Sequence, residues 1–297
     1  MESGNISISG TGDDGIQCDL DGDTSTGETT DHEDEDSGNI YISGGTITIT
    51  CTATAAKGIK CDGDMNITGG TISVTTSGTN GEGIESKNYL NITGGHITVN
   101  SNDDAINSAQ DMTIEGGYVY AHATNNDGID ANGNCYIRGG VVYAIGASSP
   151  EIAIDVNSEE QKKLYITGGT IIAVGGLESG ASISSGTCKS ASSWTASSWH
   201  ALYNGSDLAL AFKTPANSSS GGNQGGPGGG GPGGNQGGSS QQLVVSTTST
   251  PSLKSGVTVS GGTEYFGGMA NIGCTVSGGS TVTLSTYSGG NSGPGGH

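Results

Sequence analysis

The chain has few positive charges. Its 297 residues include 9 lysines and arginines against 29 aspartates and glutamates, which gives a formal net charge of −20. Nucleic acids and anionic membrane surfaces are bound through clustered cations, so this composition argues against both partners. No apolar run approaches the ~18 residues that a membrane-spanning helix requires. Because cations are few, an anionic ligand would need bridging metal ions.

Two familiar sequence signals are also missing. Residues 1–4 have neither the positive start nor the apolar stretch of a signal peptide. We expect that a secretion signal has been removed, because a chain rich in Ser, Thr, Asn and Gly is typical of an extracellular or cell-surface protein.

The cysteines show no C-x-x-C zinc spacing. There are six of them: Cys18, Cys51, Cys61, Cys135, Cys188 and Cys274. Their number permits three disulfides without fixing the pairing, and buried free thiols are the alternative. Cys18 and Cys61 occupy the same column of successive repeats, which predicts that they lie one rung apart.

Glycine is abundant, with 57 residues, and much of it belongs to a repeated phrase. The phrase reads apolar-x-apolar-x-Gly-Gly-x-apolar-x-apolar, and a degenerate copy precedes six intact ones. The second glycine of each pair falls at positions 45, 70, 95, 117, 140 and 169. A period of roughly 20–30 residues built from short strands indicates a solenoid.

Alternation within the phrase predicts which side chains form the core. Strand side chains point to opposite faces in turn, and one parity of the phrase is almost entirely apolar. Each Gly-Gly predicts a sharp corner. A second phrase, typified by Asp127-Gly128-Ile129-Asp130, follows each copy and predicts another short strand. The fold class is therefore all-β, a right-handed parallel β-helix with about seven recognisable rungs.

The pattern also predicts the domain organisation. Residues 1–214 form the parallel β-helix, and residues 215–240 form a Gly/Pro-rich low-complexity loop. Residues 241–290 regain strand character and are interpreted as strands that close the same solenoid. An independent small domain is the alternative interpretation of that last segment.

The ordered array of N-I-x-I-x-G-G-T-I followed by D-G-I resembles a bacterial family of secreted polysaccharide-binding parallel β-helices. The resemblance covers about residues 4–180. It implies binding of calcium and of plant cell-wall polysaccharides such as cellulose and polygalacturonate. That family is structurally akin to the family 9 polysaccharide lyases, which cleave pectate.

Acidic residues in matching columns are candidate calcium ligands, because calcium prefers several carboxylate oxygens. Stacked carboxylates repel one another unless a cation or a proton intervenes. A solvated polar corner with Asx turns is the alternative. The first candidate set comprises Asp103, Asp104, Asn126, Asp127, Asp130 and Asp155.

A second acidic set is a candidate loop-type calcium site: Asp13, Asp14, Asp19 and Asp62, with Asp21, Asp23 and Asp64 nearby. It is not an EF-hand, because Thr24 and Thr30 stand where the motif requires Gly and Glu. The acidic run at residues 31–36 is interpreted as a solvated loop.

Aromatic side chains at outward positions are candidate sugar contacts, since a flat ring can stack on the apolar face of a pyranose. Tyr118, Tyr120 and Tyr143 form one such group, and Trp194 and Trp199 another. The alternatives are a tyrosine ladder that stabilises the sheet and tryptophans that cap the core.

These features favour a carbohydrate-binding protein with structural or bridging calcium and no catalytic residue. The runner-up is a calcium-dependent pectate lyase, for which the resemblance implies a lysine base among Lys60, Lys87, Lys162 and Lys163. A cell-surface or filament-forming solenoid that associates through its open ends is a third possibility. An ice-binding threonine ladder through Thr46, Thr48, Thr71 and Thr98 is a distant fourth.

Overall fold

The computed structural model describes residues 1–19, 37–148, 150–183, 187–191, 193–216 and 241–287. Over these ranges the chain is almost entirely β-structure, and the predicted all-β parallel solenoid is confirmed. Two short 3-10 turns, Ser158–Glu160 and Phe266–Gly268, are the helical segments of the described residues. None of the described helical segments is long and apolar enough to cross a membrane.

Most windings of the solenoid contribute one strand to each of three parallel sheets, which we call sheets 1, 2 and 3. A short strand in sheet 3 turns at the Gly-Gly corner into a longer strand of sheet 1, and a short strand of sheet 2 completes the turn. The parallel strands of sheet 1 are Asn5–Thr11, Thr46–Cys51, Thr71–Thr76, His96–Ser101, Tyr118–Ala123, Val141–Ile145 and Thr170–Val174.

The other two parallel sheets are built from short strands. Sheet 2 comprises Ile16–Cys18, Ile59–Cys61, Ile84–Ser86, Ile106–Ser108, Ile129–Ala131 and Ile154–Val156. Sheet 3 comprises Ile40–Ile42, Met65–Ile67, Leu90–Ile92, Met112–Ile114, Cys135–Ile137, Leu164–Ile166 and Ser182–Ile183.

The inward side chains stack in register from rung to rung. Ile97, for example, pairs with Ile72 on one side and Val119 on the other. All three are at most 1% exposed, as are the matching isoleucines of sheets 2 and 3 over most of the length. The predicted apolar ladders are therefore the core, because parallel in-register pairing places each residue beside its equivalent in the next repeat.

The Gly-Gly corners need glycine for two separate reasons. The second glycine of each pair has positive φ, for example +80° at Gly117, where side chains are strained. A Cβ at Gly117 would also lie 2.8 Å from the carbonyl carbon of Gly94 and from the carbonyl oxygen of Gly95. The rungs therefore stack at a distance that leaves no room for a side chain.

Replacing Gly117 with alanine is expected to destabilise the protein more than the same change at Gly205. Gly205 also has positive φ, +63°, but its Cβ would meet Ser249 only at 3.8 Å. Both variants incur about 1–2 kcal/mol of backbone strain, and Gly117→Ala adds an overpacking cost of about 1–3 kcal/mol. Thermal unfolding of the two variants measures the difference; equal losses would contradict the close stacking.

The C-terminal strands do more than extend the rungs. Leu243–Ser246 pairs antiparallel with Thr170–Val174 and with Cys188–Ala191, and Ser285–Thr286 completes that edge of sheet 1. The remaining strands form a separate six-stranded antiparallel sheet, here called sheet 4. It comprises Trp199–Asn204, Asp207–Lys213, Pro251–Ser260, Thr263–Tyr265, Ala270–Ile272 and Thr275–Thr281.

Sheet 4 packs against the outer side of sheet 1 and creates a second apolar core. Tyr143 and Ile172 from sheet 1 meet Leu210, Phe212 and Leu253 from sheet 4 in this cluster, and all five are at most 1% exposed. Of the predicted loop, residues 217–240 lie outside the described residues. Division of the chain into domains stays a prediction, although the C-terminal strands contact the solenoid along this core.

All six cysteines are free thiols, and all except Cys18 are buried. Cys18 and Cys61 pair in register in sheet 2, as their shared column predicts. Burial raises the pKa of the Cys61 thiol to about 11. The buried cysteines therefore pack as small apolar side chains.

Candidate functional site

A cluster of acidic side chains lies on the outer side of sheet 2 at its last rungs. We call Asp104, Asp127, Asp130, Asp155 and Glu178 the acidic cluster. Asp130 pairs in register with Asp155, because their strands are adjacent in sheet 2. A bridge between Ile154 and Leu177 brings Glu178 to the next position beyond Asp155.

Amide groups connect the carboxylates within the acidic cluster. The Asn107 side-chain amide donates to Asp104 and to Asp130, both at 3.2 Å. The backbone N–H of Asp127 donates to the Asp104 carboxylate at 3.0 Å. The backbone N–H of Ile152 donates to Asp127 at 2.5 Å. These bonds fix the carboxylates in place without neutralising their charge.

Burial disfavours the ionised form of two aspartates of the acidic cluster, Asp104 and Asp127. Asp104, Asp127 and Asp130 are 6%, 7% and 8% exposed. Burial, with the charges of Asp130 and Asp127, raises the pKa of Asp104 to about 8. Burial likewise raises the pKa of Asp127 to about 7. Neither carboxylate forms an ion pair with a described residue, so each must be protonated or met by an outside cation.

The pKa of a third aspartate in the acidic cluster, Asp155, is also raised. Its pKa is raised by burial, by a hydrogen bond with Glu178, and by the charges of Asp127, Glu178 and Asp130. An oxygen-only donor set with unmet negative charge suits calcium chemically. The described residues nevertheless contain no preassembled group of three or more His, Cys, Asp or Glu side chains around one metal position. A bound cation would therefore require these side chains to turn toward it.

The sequence predicted most of the acidic cluster but not all its members. Asp104, Asp127, Asp130 and Asp155 come together as expected. Asn126 and Asp103 instead pair with each other one row away, through an amide-to-carboxylate hydrogen bond of 2.8 Å. Glu178 was missed because the repeated phrase fades there, although its position directly after Leu177 copies the Ile154-Asp155 pattern.

In the second acidic set, a lysine lies where a metal was expected. The Lys60 amine is 3.6 Å from Asp19 and 3.9 Å from Asp62. Asp14 accepts a hydrogen bond of 2.6 Å from the backbone N–H of Lys57, so its carboxylate joins two rungs. Asp13 is exposed. Asp21, Asp23 and the run at 31–36 lie outside the described residues.

Two lysines considered as lyase bases are engaged in ion pairs. Lys87 pairs with Glu85, and Lys60 lies between the two aspartates described above. A lysine that is held by a carboxylate is not free to approach a substrate proton, as a general base must. These contacts argue against proton abstraction by either side chain.

The predicted tyrosine platform is largely covered. Tyr120 and Tyr143 point outward from sheet 1 as expected, but they are 3% and 0% exposed because sheet 4 packs on them. The Tyr143 hydroxyl donates to the Lys213 carbonyl at 2.8 Å. Tyr118 is half-buried and stacks on Tyr265 with ring centroids 4.4 Å apart. Tyr143 is therefore part of the second core and cannot stack on a sugar.

The two tryptophans lie in the same C-terminal region. Trp194 packs against the second core, and its indole N–H donates to the Gln241 carbonyl at 2.7 Å. Trp199 is half-buried at the start of a sheet 4 strand. Trp194 thus holds the chain against the solenoid, and a sugar clamp formed by the pair stays a prediction.

One outer surface of the solenoid is not covered by other described elements. We call the outer side of sheet 3 the open face. Its central row runs along the solenoid through Tyr41, Asn66, Asn91, Thr113, Tyr136 and Tyr165. Beside it lies a row in which every residue is exposed: Ser43, Thr68, Thr93, Glu115, Arg138 and Thr167. The face therefore presents rings, amides and hydroxyls at every rung.

Individual contacts on the open face leave groups available to a ligand. Tyr41 is 59% exposed, the most exposed large apolar side chain described. The Asn91 amide donates to Asn66 at 3.2 Å, which orders two side-chain amides in a row. Tyr136 and Tyr165 stack with centroids 5.0 Å apart and an 8° interplanar angle. Sequence reasoning missed this row, although tyrosine recurs in one column of the repeated phrase.

A positive charge stands at one end of the open face. The guanidinium of Arg138 lies 5.0 Å from the centre of the Tyr136 ring and pairs with Glu115 at 2.8 Å. Lys163 is exposed immediately before the strand that carries Tyr165. In a chain with a net charge of −20 these cations are scarce, and they adjoin the tyrosine pair.

The fold and these surfaces define a parallel β-solenoid with an uncovered, hydrogen-bonding face and a buried acidic cluster. Residues 1–128 match a family model described as "carbohydrate-binding domain-containing protein". The match covers less than half of the chain, and it supports carbohydrate binding in general. No curated protein and no solved structure matched the chain significantly.

Proposed function

We propose that this protein binds polysaccharide along the open face of sheet 3. One observation carries the proposal: the segment that matches the carbohydrate-binding family includes the rungs with Tyr41, Asn66 and Asn91 on that face. Sugar-binding surfaces combine flat rings with amides and hydroxyls, because a pyranose has apolar faces and a polar rim. The open face offers both.

The spacing of the open face suits an extended sugar chain. Successive rungs of a parallel sheet lie ~4.8 Å apart, which is about the length of one pyranose unit. A chain lying along the solenoid would therefore meet an equivalent side chain at each unit. This periodic match favours a linear plant cell-wall polysaccharide, with cellulose as the neutral candidate.

Polygalacturonate is the acidic candidate. Its carboxylates would meet Arg138 and Lys163 at the Tyr136–Tyr165 end of the face, where aromatic rings and cations adjoin. Elsewhere the net charge of −20 would repel a polyuronate. Calcium bridging would then be needed over the rest of the surface.

Calcium also has a structural role in the proposal. The acidic cluster would hold it through Asp104, Asp127, Asp130 and Asp155, with Glu178 beside them. Calcium would supply the positive charge that the cluster lacks, and oxygen ligands are the kind it prefers. A secreted or cell-surface location is consistent with this, since extracellular fluids are rich in calcium.

The proposed role is non-catalytic. A pectate lyase needs a neutral base beside the bound uronate. Lys60 and Lys87 are paired with carboxylates. Lys163, at the Tyr136–Tyr165 end of the open face, is assigned to binding the uronate carboxylate. Incubation of polygalacturonate with the protein and calcium should therefore give no unsaturated product. Growth of the unsaturated-uronide absorbance would instead establish a lyase.

Alanine at both Tyr41 and Tyr165 is expected to weaken polysaccharide binding about tenfold or more, the scale of losing one or two aromatic contacts. Binding is measured by co-sedimentation with cellulose and by affinity electrophoresis in polygalacturonate, each with calcium and with a chelator. Tyr203→Ala in sheet 4 is the matched control and should bind normally. Unchanged binding by the double variant would exclude the open face, and absence of binding to every polysaccharide would refute the function.

A further inference from the structure

A cleft separates the outer side of sheet 1 from the Phe266–Gly268 turn of sheet 4. Its volume is about 540 Å³, within the range of small-ligand sites. One side consists of Ser73, Thr98, Asn100, Tyr120 and His122 from sheet 1. The other side is formed mainly by Phe266 and the chain that follows it. The sheet 1 side belongs to the segment that matches the carbohydrate-binding family.

Two aromatic rings line the cleft in a fixed arrangement. Tyr120 and Phe266 stack with ring centroids 5.5 Å apart and an interplanar angle of 25°. Phe266 has φ of +59°, a left-handed conformation that is costly for an aromatic residue. The turn therefore accepts backbone strain while it holds the Phe266 ring against Tyr120 at the cleft.

Polar groups in the cleft have unused hydrogen-bonding capacity. Tyr120 is only 3% exposed, and no hydrogen bond joins its hydroxyl to another described residue. The hydroxyl oxygen is not one of the buried side-chain atoms left without a partner, so it reaches the open space of the cleft. His122 Nδ1 lies 3.4 Å from Asn100 Oδ1, which leaves the other imidazole nitrogen and the Asn100 amide N–H groups available.

The charge of the cleft restricts what it can bind. Among the described residues that line it there is no Asp, Glu, Lys or Arg, although the chain as a whole is strongly acidic. Burial lowers the pKa of His122, so its imidazole is neutral at pH 7. A uronate would find no cation there, and calcium would find no carboxylate. Rings, hydroxyls and amides without charge suit a neutral sugar.

The geometry points to a second binding site in this cleft, for a short neutral oligosaccharide or the neutral end or branch of a longer chain. The inference rests on the proposed carbohydrate-binding function, but it concerns a surface separate from the open face. The sugar would enter the cleft, contact the edges of the Tyr120 and Phe266 rings that line it, and take hydrogen bonds from the Tyr120 hydroxyl and the Asn100 amide.

Isothermal titration of the full chain with neutral cello-, xylo- and manno-oligosaccharides, and with an oligogalacturonide, tests this site. Tyr120→Phe removes only the hydroxyl, and Asn100→Ala removes only the amide. Each variant should bind the preferred neutral sugar about tenfold more weakly, the scale of one lost hydrogen bond in a desolvated site. Thr75→Ala, one rung from Asn100 in the same row, is the control and should bind as the unmodified protein does.

The outcomes separate this site from the open face. Unchanged neutral-sugar affinity in Tyr120→Phe and Asn100→Ala would overturn the cleft site, as would a preference of the cleft for the oligogalacturonide. If only the Tyr41 and Tyr165 double variant loses affinity, the proposed function stands and the cleft fails. If no neutral oligosaccharide binds while polysaccharide still does, the cleft also fails. Far-ultraviolet circular dichroism of each variant verifies that it is folded.

Discussion

Calcium is expected to raise the free energy of unfolding by several kcal/mol at pH 8, measured against metal-free protein. At that pH the solution favours ionised carboxylates, whereas burial of Asp104 and Asp127, which are 6% and 7% exposed, opposes their ionisation. Burial raises their pKa values to about 8 and about 7, from an ordinary value of 3.8. Each unit of pKa shift corresponds to about 1.4 kcal/mol, so a cation that favours the ionised forms has a large effect.

The pH dependence of the metal-free protein follows with a definite sign. A carboxyl group whose pKa is higher in the folded than in the unfolded state binds more protons when folded. Its favourable contribution is complete below the unfolded pKa and is lost as pH rises through the folded pKa. The free energy of unfolding of metal-free protein should therefore fall between about pH 4 and pH 8. With calcium bound, this decline should flatten.

Asp104→Asn distinguishes the acidic cluster from general charge effects. The neutral amide removes the ionisation penalty, so metal-free Asp104→Asn should be more stable than the unmodified protein at pH 8 and should respond less to calcium. Asp207→Asn, at an exposed site in sheet 4, changes the net charge equally and should show neither effect. Urea unfolding at pH 5 and pH 8, with and without calcium, supplies the comparison. If calcium does not change the urea midpoint of the unmodified protein at pH 8, the proposed metal site in the acidic cluster is refuted.

The solenoid was predictable because a repeat makes distant residues equivalent. Once the phrase is aligned, Ile72 and Ile97 must stack, since parallel in-register pairing places each column in a line. The same logic brings Asp130 beside Asp155. Glycine at the second position of each corner was predictable for a local reason, since only glycine adopts positive φ there without strain.

The covering of sheet 1 was not predictable from the repeat. Alternation correctly turns Tyr143 outward, but it says nothing about a second sheet that returns from residues 199–281 to bury it. Such packing depends on contacts far apart in sequence. A signal was nevertheless present: the outer columns change from Ser and Thr in the early rungs to Tyr143, Ile145, Ile172 and Val174 in the late ones.

The two candidate sugar surfaces also differ in how far the repeat predicts them. Tyr41 and Tyr165 lie in one column of the repeated phrase, before the glycines, so the open face was predictable from the alignment of the repeats. The cleft was not predictable from the sequence, because Phe266 lies outside the repeat and contacts Tyr120 only in the folded protein.

Replacing Tyr143 with alanine is expected to cost about 3–5 kcal/mol, the range for truncating a large buried aromatic side chain. The Tyr143 ring packs edge-on against Tyr120 at 5.3 Å and Phe212 at 5.7 Å, and it is fully buried. Its loss would leave a cavity between sheet 1 and sheet 4. Tyr143→Phe is the matched variant: it keeps the ring, loses the hydrogen bond to the Lys213 carbonyl, and should cost about 1 kcal/mol.

Two spectroscopic probes show which part of the molecule responds. The only two tryptophans, Trp194 and Trp199, lie with sheet 4, so their fluorescence reports its packing, whereas far-ultraviolet circular dichroism reports all four sheets. If sheet 4 depends on the solenoid, the fluorescence transition of Tyr143→Ala in urea should move to lower concentration, ahead of the dichroism transition. If sheet 4 is instead an independent domain, the fluorescence transition should occur at the same urea concentration in Tyr143→Ala as in the unmodified protein. An independent domain would not depend on the Tyr143 side chain for its stability.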